Sequence, residues 1–271
     1  MINKFHFRFL LSLCFIFMVK TQAQDKKAES KNTVRVLTFN ILHGATTQGS
    51  FDLDVIAKVI NDVNPDLVAL QEVDFKTNRA HKLDLTTELA LRTKMTSLFA
   101  KAMDYDGGEY GEAILSKYSF IKTRNVPLPH SHGNEPKAAV EASLVLASAD
   151  TIIFIATHLD HLKDGTDRYN QAKMINELFP HGNHPMILAG DLNDVPKSKT
   201  IKLLKEEWGA SFDEKSPEPT FPSNNPKIKI DYIMFYPKDR WKVIETKVIQ
   251  DSIASDHCAY LSVLQLLPDK N

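Results

Sequence analysis

The chain has 271 residues, of which 43% are hydrophobic, so it can bury the core of one large domain or of two small ones. Its 33 basic and 34 acidic residues give a formal charge of −1, and loss of residues 1–23, with Lys4, Arg8 and Lys20 but no acidic residue, would make it −4. This acidic balance argues against broad, charge-driven binding of nucleic acids. It does not exclude a nuclease, because a bound divalent cation would supply local positive charge.

The N-terminal segment is typical of an exported protein. Residues 5–19 form an apolar run with basic residues in and before it, and small residues follow at positions 21–23. The run is shorter than the roughly 20 residues that span a bilayer, so we predict a signal peptide at residues 1–23 instead of a membrane anchor. We expect a protein that is periplasmic or secreted, without stable insertion in a membrane.

The rest of the chain is predicted to hold one domain. Residues 24–32 are polar, charged and without periodicity, which predicts a flexible leader. No linker divides the remainder, so we expect a single domain at residues 33–267. Cys258 would be the one cysteine left after removal of the signal peptide, which excludes an internal disulfide.

Polar residues follow the first two predicted strands. Residues 33–39 alternate between apolar and polar side chains, which predicts a strand that ends at Asn40. Residues 52–63 form a predicted amphipathic helix, and residues 66–70 a second, buried strand that leads to Glu72. Asn40 is either a turn residue or a contact of a metal or phosphate. Glu72 is either a rim residue that caps the next loop or a ligand of a hard cation such as Mg²⁺, which prefers one or two carboxylates.

Residues 76–83 are polar and are predicted to form a loop over the site. Arg79 lies in this loop with no apolar pattern to explain it, so it is a candidate for contact with a substrate. A helix at residues 83–95 and a strand at residues 97–103 are predicted to follow.

The next predicted strand has a glycine-rich entry at residues 107–111, and within it Tyr110 and Glu112 fall on one side. These side chains can contact a phosphate and hold a histidine. Lys137 precedes a strand predicted at residues 138–147, and it is either a surface lysine or a cation that faces the same site.

His158 follows an apolar strand predicted at residues 151–157. An imidazole there can donate to a phosphate oxygen or protonate a leaving group near neutral pH. His161 lies three residues further on, but no third nitrogen or sulfur ligand lies close in sequence, which argues against zinc. A helix is predicted at residues 167–179.

Residues 189–194 are predicted to form the mouth of a buried strand. Gly190 allows the backbone to turn, and Asp191 and Asn193, two residues apart on an extended segment, face one cavity. A carboxylate and an amide so placed can orient a water and donate to a phosphate oxygen, as hydrolysis of a phosphate ester requires. The same pattern is also common in solvated turns.

Asp231 lies within an apolar strand predicted at residues 228–235, and a buried acid requires a partner. His257 is the natural partner, which gives a carboxylate that orients an imidazole. Asp256 and His257 open the final predicted strand, after another strand at residues 242–250.

Four short motifs occur in a fixed order along the chain. They are Thr38-Phe39-Asn40-Ile41, Gln71-Glu72-Val73, Gly190-Asp191-Leu192-Asn193 and Ser255-Asp256-His257. The ordered set resembles the hallmark motifs of the endonuclease/exonuclease/phosphatase superfamily, over residues 33–266. The resemblance implies an α/β (α+β) fold, a four-layered α/β/β/α sandwich in which two packed mixed β-sheets are flanked by helices and the site lies at one rim.

The resemblance also implies how the site binds a metal and water. Asn40, Glu72 and Asp256 would surround Mg²⁺, with Mn²⁺ as a substitute. Asp191 and Asn193 would position the attacking water and the phosphate.

Further roles follow from the same resemblance. His257, oriented by Asp231, would contact the scissile phosphate, and either His257 or Asp191 would be the general base. His158 would be held by Glu112 as the second histidine of the site.

Two other positions complete the implied site. Tyr110 matches a tyrosine that contacts phosphate in several branches of the superfamily. Lys137 stands where many relatives have arginine, so a bidentate contact with phosphate is not expected from it.

These residues favour an exported, Mg²⁺-dependent phosphoesterase that hydrolyses a phosphodiester or a phosphorylated headgroup by in-line attack of an activated water. A secreted endonuclease is the first alternative, although residues 76–83 offer no basic rim with stacking aromatics. A sphingomyelinase-like phosphodiesterase and a domain that binds a ligand without turnover are further alternatives. We expect a monomer whose partner is a phosphate-ester substrate: a small molecule, a lipid headgroup or a nucleic acid.

Overall fold

The structure, a computed structural model, describes residues 32–269 of the chain. The predicted signal peptide at residues 1–23 and the leader up to residue 31 lie outside the described residues, so both stay predictions. Within residues 32–269, no helix is long and apolar enough to cross a lipid bilayer.

Most of the described chain is built into two mixed sheets of six strands each. In chain order the strands are β1 (Thr33–Asn40), β2 (Leu67–Phe75), β3 (Thr96–Tyr105), β4 (Gly108–Ser116), β5 (Phe120–Leu128), β6 (Lys137–Val145), β7 (Thr151–His158), β8 (Met186–Asp191), β9 (Gly209–Ala210), β10 (Asp231–Tyr236), β11 (Trp241–Ile249) and β12 (Ala259–Leu266). The first sheet has the order β11-β12-β1-β2-β4-β3, and the second has the order β5-β6-β7-β8-β10-β9. The pairs β1–β2 and β7–β8 are parallel, and the other pairs are antiparallel.

Helices cover the outer faces of the two sheets. The α-helices are α1 (Leu53–Val63), α2 (Leu85–Thr93), α3 (Thr166–Leu178) and α4 (Lys199–Glu207). Successive residues of a strand point to opposite faces, so Val36 of β1 lies in the core between the sheets and Phe39 lies under α1 and α2. The other two helices pack on the second sheet. The predicted four-layered α/β/β/α sandwich is confirmed.

The strand register brings polar residues to one rim of the sandwich. In the parallel pair β1–β2, Asn40 lies opposite Gln71, and in β7–β8, His158 lies opposite Asp191. Asp191 also lies opposite Asp231 in the antiparallel pair β8–β10. Because the two sheets pack face to face, the ends of β1 and β8 approach each other, and the side chains of Asn40 and Asp191 are 3.3 Å apart.

Several predicted strand boundaries differ from the structure. β6 begins at Lys137, which was predicted to precede it, and ends at Val145. β2 does not end at residue 70 but continues to Phe75, and Glu72 lies in a β-bulge with a φ of 57°.

Asp231 is the first residue of β10, so it lies at the end of a strand and not inside one. The last strand begins at Ala259, so Asp256 and His257 precede it and do not open it.

Three of the strands and α-helices have no counterpart in the sequence prediction: β5, α4 and the two-residue strand β9. Most residues of β5 are exposed, so this edge strand shows no alternation of apolar and polar side chains. α4 has only nine residues and buries Thr200, Ile201 and Leu204 among charged side chains, which is too short a pattern for a clear helical period.

Candidate active site

Asp191, the last residue of β8, lies at the centre of the rim. Its Oδ2 atom is 3.3 Å from Asn40 Nδ2, 3.5 Å from His158 Nε2 and 3.6 Å from His257 Nε2. Its Oδ1 atom accepts a hydrogen bond of 2.9 Å from the backbone N–H of Asn193. The carboxylate is buried, and burial raises its pKa more than the positive charge of His257 lowers it. Asp191 is therefore a better proton acceptor than an ordinary aspartate.

His257 lies between two carboxylates. Its Nδ1 atom is 3.2 Å from both carboxylate oxygens of Asp231, and its ring packs against Phe221 with centroids 4.8 Å apart. Burial lowers the pKa of His257, but the negative charges of Asp231 and Asp191 raise it more, so the net shift is upward. The structure thus brings together the predicted Asp231 and His257, in a geometry that favours an imidazolium ion.

His158 is a buried, neutral histidine in contact with Asn193. Asn193 Nδ2 lies 3.0 Å from His158 Nε2 and donates a hydrogen bond of 2.9 Å to the backbone oxygen of Leu159. Burial lowers the pKa of His158, and the nearby charge of Lys137 lowers it further. The ring nitrogen of His158 therefore accepts from the Asn193 amide, which fixes the ring beside Asp191.

The predicted pairing of Glu112 with His158 is not formed in the structure. Within the described residues, His158 Nδ1 and both carboxylate oxygens of Glu112 are buried without a hydrogen-bond partner. Glu112 lies on β4 of the first sheet and His158 at the end of β7 in the second sheet. Burial raises the pKa of Glu112 to about 8, so the carboxyl group is neutral at pH 7 and does not need an ionic partner.

The bulge in β2 turns Glu72 toward the rim. Asn40 Nδ2 donates to Glu72 Oε1 at 3.0 Å, and His43 Nδ1 is 3.6 Å from Glu72 Oε2. Burial raises the pKa of Glu72, but contacts with His43 and Asn40 and the positive charge of His257 lower it more, so Glu72 stays ionised.

Asn40 was predicted to ligate a metal, but both polar atoms of its side chain already have hydrogen-bond partners in the protein. Its Oδ1 atom accepts from the backbone N–H of Leu42 at 3.1 Å, and its amide nitrogen faces Glu72 and Asp191. In this orientation Asn40 holds two carboxylates in place, and its direct contact with a metal stays a prediction.

Glu72 and Asp256 form a set of oxygen donors that fits a hard cation. Both carboxylates are partly exposed. The pKa of Asp256 is raised by burial, lowered by His257 and raised again by the negative charge of Glu72. A divalent cation between the two carboxylates would remove this repulsion, and one or two carboxylates with waters are the usual ligands of Mg²⁺.

A second group could also hold a metal, since ligand atoms of Asp191, Asp231 and His257 lie within 4.8 Å of one another. Both ring nitrogens of His257, however, already face these two carboxylates. A cation there would have to displace the imidazole and would compete with its positive charge. This group therefore fits a cation less well than Glu72 and Asp256 do, and the metal ligands stay a prediction.

Arg79 was predicted to contact the substrate, but one edge of its guanidinium group forms an ion pair with Asp74. Its Nε and Nη2 atoms donate to the two carboxylate oxygens of the buried Asp74, at 2.7 and 2.9 Å. Its guanidinium lies 4.5 Å from the ring centroid of Tyr105 and 5.6 Å from that of Tyr110. The side chain is 30% exposed, so an edge of it remains open to solvent, and the substrate contact stays a prediction.

Lys137 is buried, and its Nζ atom donates to Glu135 Oε1 at 2.6 Å. The charge of Lys137 acts on Glu112 and His158, which places the ammonium group near the site and excludes the alternative of a surface lysine. Tyr110 is also buried, and burial raises the pKa of its hydroxyl above the ordinary value.

Sequence reasoning missed two contacts of the site. His43, which contacts Glu72, lies three residues after Asn40 and has no apolar pattern around it. Its closeness to Asn40 in the sequence could have identified it as a residue of the site. Phe221, which packs on His257, lies in an irregular segment that gives no signal at all.

Comparison with known proteins identifies the family. A profile of the Endonuclease/Exonuclease/phosphatase family matches residues 37–257. The structure is similar to an endonuclease/exonuclease/phosphatase from Beutenbergia cavernae DSM 12333, with 22% identity, a TM-score of 0.73 and coverage of 87% of this chain and 72% of that chain. It is also similar to a mannosyl-6-phosphatase from Bacteroides thetaiotaomicron VPI-5482, with 19% identity, a TM-score of 0.69 and coverage of 85% and 99%. The catalytic domain of human Nocturnin with bound sulfate anion gives 19% identity, a TM-score of 0.71 and coverage of 87% and 95%.

At these identities the solved structures support the fold, whereas the family match spans most of the chain. The enzymes of this family are metal-dependent and act on phosphate esters. The chain belongs to the Endonuclease/Exonuclease/phosphatase family and is a hydrolase of phosphate-ester bonds.

Proposed function

We propose that this protein is an exported, Mg²⁺-dependent phosphoesterase that hydrolyses a phosphodiester or a phosphorylated headgroup. The observation that supports this most strongly is the buried carboxylate of Asp191, whose Oδ2 atom lies 3.5 Å from His158 Nε2 and 3.6 Å from His257 Nε2. A carboxylate among imidazoles at the rim of this fold can take a proton from water beside a bound phosphate. Export is supported by the apolar run at residues 5–19.

Asp191 is the general base of the proposed reaction. His257 is the other candidate, but its raised pKa keeps it protonated at neutral pH, so it cannot accept a proton. The raised pKa of Asp191 makes its carboxylate a stronger base, and the amide of Asn193 lies next to it. Asp191 removes a proton from the water as the water attacks phosphorus, and the bond between phosphorus and the leaving oxygen breaks.

The two histidines have different tasks. His257, held by Asp231, donates from Nε2 to a phosphoryl oxygen and stabilises the negative charge that develops in the transition state. His158 is neutral, and with Asn193 it shapes the wall against which the phosphate rests. Removal of either histidine should lower the rate, with the larger loss for the charged one.

Glu72 and Asp256 would hold the divalent cation. When bound, the cation would supply positive charge that offsets the negative charge of the phosphoryl oxygens. We propose Mg²⁺, with Mn²⁺ as a substitute, because the donors are oxygen atoms and two carboxylates with waters suit these ions. The mannosyl-6-phosphatase among the structural neighbours supports phosphate monoesters as a substrate class to be tested beside diesters.

The proposal is tested by hydrolysis of p-nitrophenyl phosphate and bis(p-nitrophenyl) phosphate, with Mg²⁺ and with a chelator. We expect turnover of at least one ester by the purified protein, lost in the chelator and in His257→Ala. Leu91→Ala is the matched control, because this side chain is 69% exposed on α2, and it should keep the wild-type rate. Equal rates with and without His257 in folded protein would refute the proposed mechanism.

Plasmid nicking under the same conditions separates the headgroup enzyme from the endonuclease. Nicking that requires both Mg²⁺ and His257 would favour the nuclease. N-terminal sequencing of protein recovered outside the cytoplasm tests the export step, for which we expect a first residue at Gln24.

A further inference from the structure

A cavity of about 570 Å³ lies beside the candidate active site, between the N-terminal ends of α3 and α4. These helices follow the two strands that carry catalytic residues, since His158 ends β7 and Asp191 ends β8. Asp194, in the wall of the cavity, directly follows Asn193 in the chain. The cavity therefore lies at the same edge of the second sheet as the residues that would bind the phosphate.

Arg168 holds the wall of this cavity in place. The residue is only 8% exposed, and its Nε atom lies 3.3 Å from Asp194 Oδ2. Its Nη1 atom donates to the backbone oxygens of Asp160 and Leu162, at 2.7 and 3.2 Å. These contacts join the loop after β7 to the loop after β8, so the cavity is formed before a ligand arrives.

The charges that line the cavity balance each other. Arg168 is paired with Asp194, and the two remaining charged groups, Asp164 and Lys199, have opposite signs. A cavity with no net charge does not attract a polyanion or a second phosphate. This balance disfavours a nucleic-acid strand as the occupant.

The other lining groups suit a ligand rich in hydroxyl groups. The uncharged lining consists of Gly165, Thr166, Tyr169, Asn170 and Thr200, of which Thr166, Tyr169 and Asn170 have exposed side chains and Thr200 is buried. Hydroxyl and amide groups both donate and accept hydrogen bonds, as the hydroxyl groups of a sugar do. Tyr169 is 39% exposed, so its ring offers an apolar face against which the C–H groups of a sugar ring can pack.

We propose that this cavity binds the alcohol portion of the substrate and that this portion is a sugar or a similar polyol. The inference rests on the proposed phosphoesterase function and narrows its substrate class. The phosphate lies at Asp191 and His257, and the group esterified to it extends past Asn193 into the cavity. Tyr169 and Asn170 then determine specificity and take no part in the chemical step.

The experiment compares a hexose 6-phosphate with ethyl phosphate, and the methyl diesters of both. In both the sugar ester and the ethyl ester the phosphate is esterified to a primary alcohol. The bond that breaks is therefore of the same kind, and the two substrates differ in the sugar ring. We expect the wild-type protein to prefer the sugar ester by at least about 100-fold in kcat/KM. Tyr169→Ala should reduce this preference about tenfold, mainly through KM.

Leu178→Ala is the control on the same helix. Its side chain is 41% exposed, at the C-terminal end of α3 and away from the cavity lining, so the preference should stay at the wild-type value. An equal kcat/KM for the sugar and ethyl esters would overturn the inference while leaving the phosphoesterase function intact. Preference for an oligonucleotide over every sugar ester would also overturn it.

A readout without turnover separates failure of the inference from failure of the proposed function. If no phosphate ester is hydrolysed, the function is refuted, and calorimetric titration with hexose 6-phosphate still tests the cavity. Binding that weakens in Tyr169→Ala but not in Leu178→Ala would support the inference. Absence of binding, or equal binding by both variants, would overturn it.

Discussion

The two halves of the candidate active site are built in different ways. On the imidazole side, His257 lies between Asp231 and Asp191, and all three side chains are buried. On the carboxylate side, Glu72 and Asp256 are partly exposed, and their negative charges repel each other. The first half balances its own charges, whereas the second gathers negative charge that a divalent cation would neutralise. The comparison predicts that a mutation on each side affects a different kinetic quantity.

The largest effect among the comparison mutants is expected from Asp231→Asn on the imidazole side. The amide keeps the shape but no longer stabilises the imidazolium ion of His257. We expect kcat to fall by about 10³- to 10⁴-fold, as in other oriented acid/base pairs. The Mg²⁺ concentration that gives half the maximal rate should stay the same, and a large rise in it would contradict the separation of the two halves.

On the carboxylate side, Glu72→Gln should weaken the binding of the divalent cation. Loss of one charged oxygen donor should raise the Mg²⁺ concentration for half the maximal rate by about 10- to 100-fold. Saturating Mg²⁺ should restore a large part of the rate. Titration of activity with Mg²⁺, in parallel with Asp231→Asn, checks this result. An unchanged Mg²⁺ requirement would contradict the proposal that Glu72 holds the cation.

A smaller effect, on how stability depends on pH, is expected from the buried amino group of Lys229 behind the imidazole side. Lys229, two residues before Asp231, is 3% exposed, and its Nζ atom lies 3.5 Å from the ring centroid of Tyr260 without a hydrogen-bond partner within the described residues. Burial lowers its pKa from 10.5 to about 7. Between these values the unfolded chain binds a proton that the folded chain does not, so this lysine makes the protein more stable as pH rises from about 7 to 10.5.

Denaturation of wild type and Lys229→Met between pH 7 and 10 measures this effect. The free energy of unfolding of the wild type should rise relative to that of the variant by up to about 1.4 kcal/mol per pH unit. A difference that does not change with pH would mean that Lys229 keeps its charge in the folded protein.

The polar ends of the strands were predictable from the sequence. An apolar run predicts a buried strand, and the polar residue that follows it is expected at the end of that strand. Asp191 and His158 were found in this way without the structure. The buried acid Asp231 pointed to His257 as its partner in the same way. The family resemblance then supplied the roles of these residues in binding a metal, water and phosphate.

Contacts that depend on register between distant segments were not predictable in this way. The bulge that turns Glu72 toward the rim is a mismatch between β2 and β4, and neither strand encodes it alone. The predicted link between Glu112 and His158 was wrong for this structure because it requires a distance between two sheets that no local pattern reports. His43 was missed although it lies close to Asn40 in the chain.

The most direct test of the account is the rate of phosphate-ester hydrolysis by Asp191→Asn in saturating Mg²⁺. The amide keeps the volume of the side chain but cannot accept a proton from water, so we predict a loss of at least about 10³-fold, with the fold and the Mg²⁺ requirement retained. A folded Asp191→Asn protein that keeps a rate within a few-fold of wild type would contradict the claim that this buried carboxylate is the base.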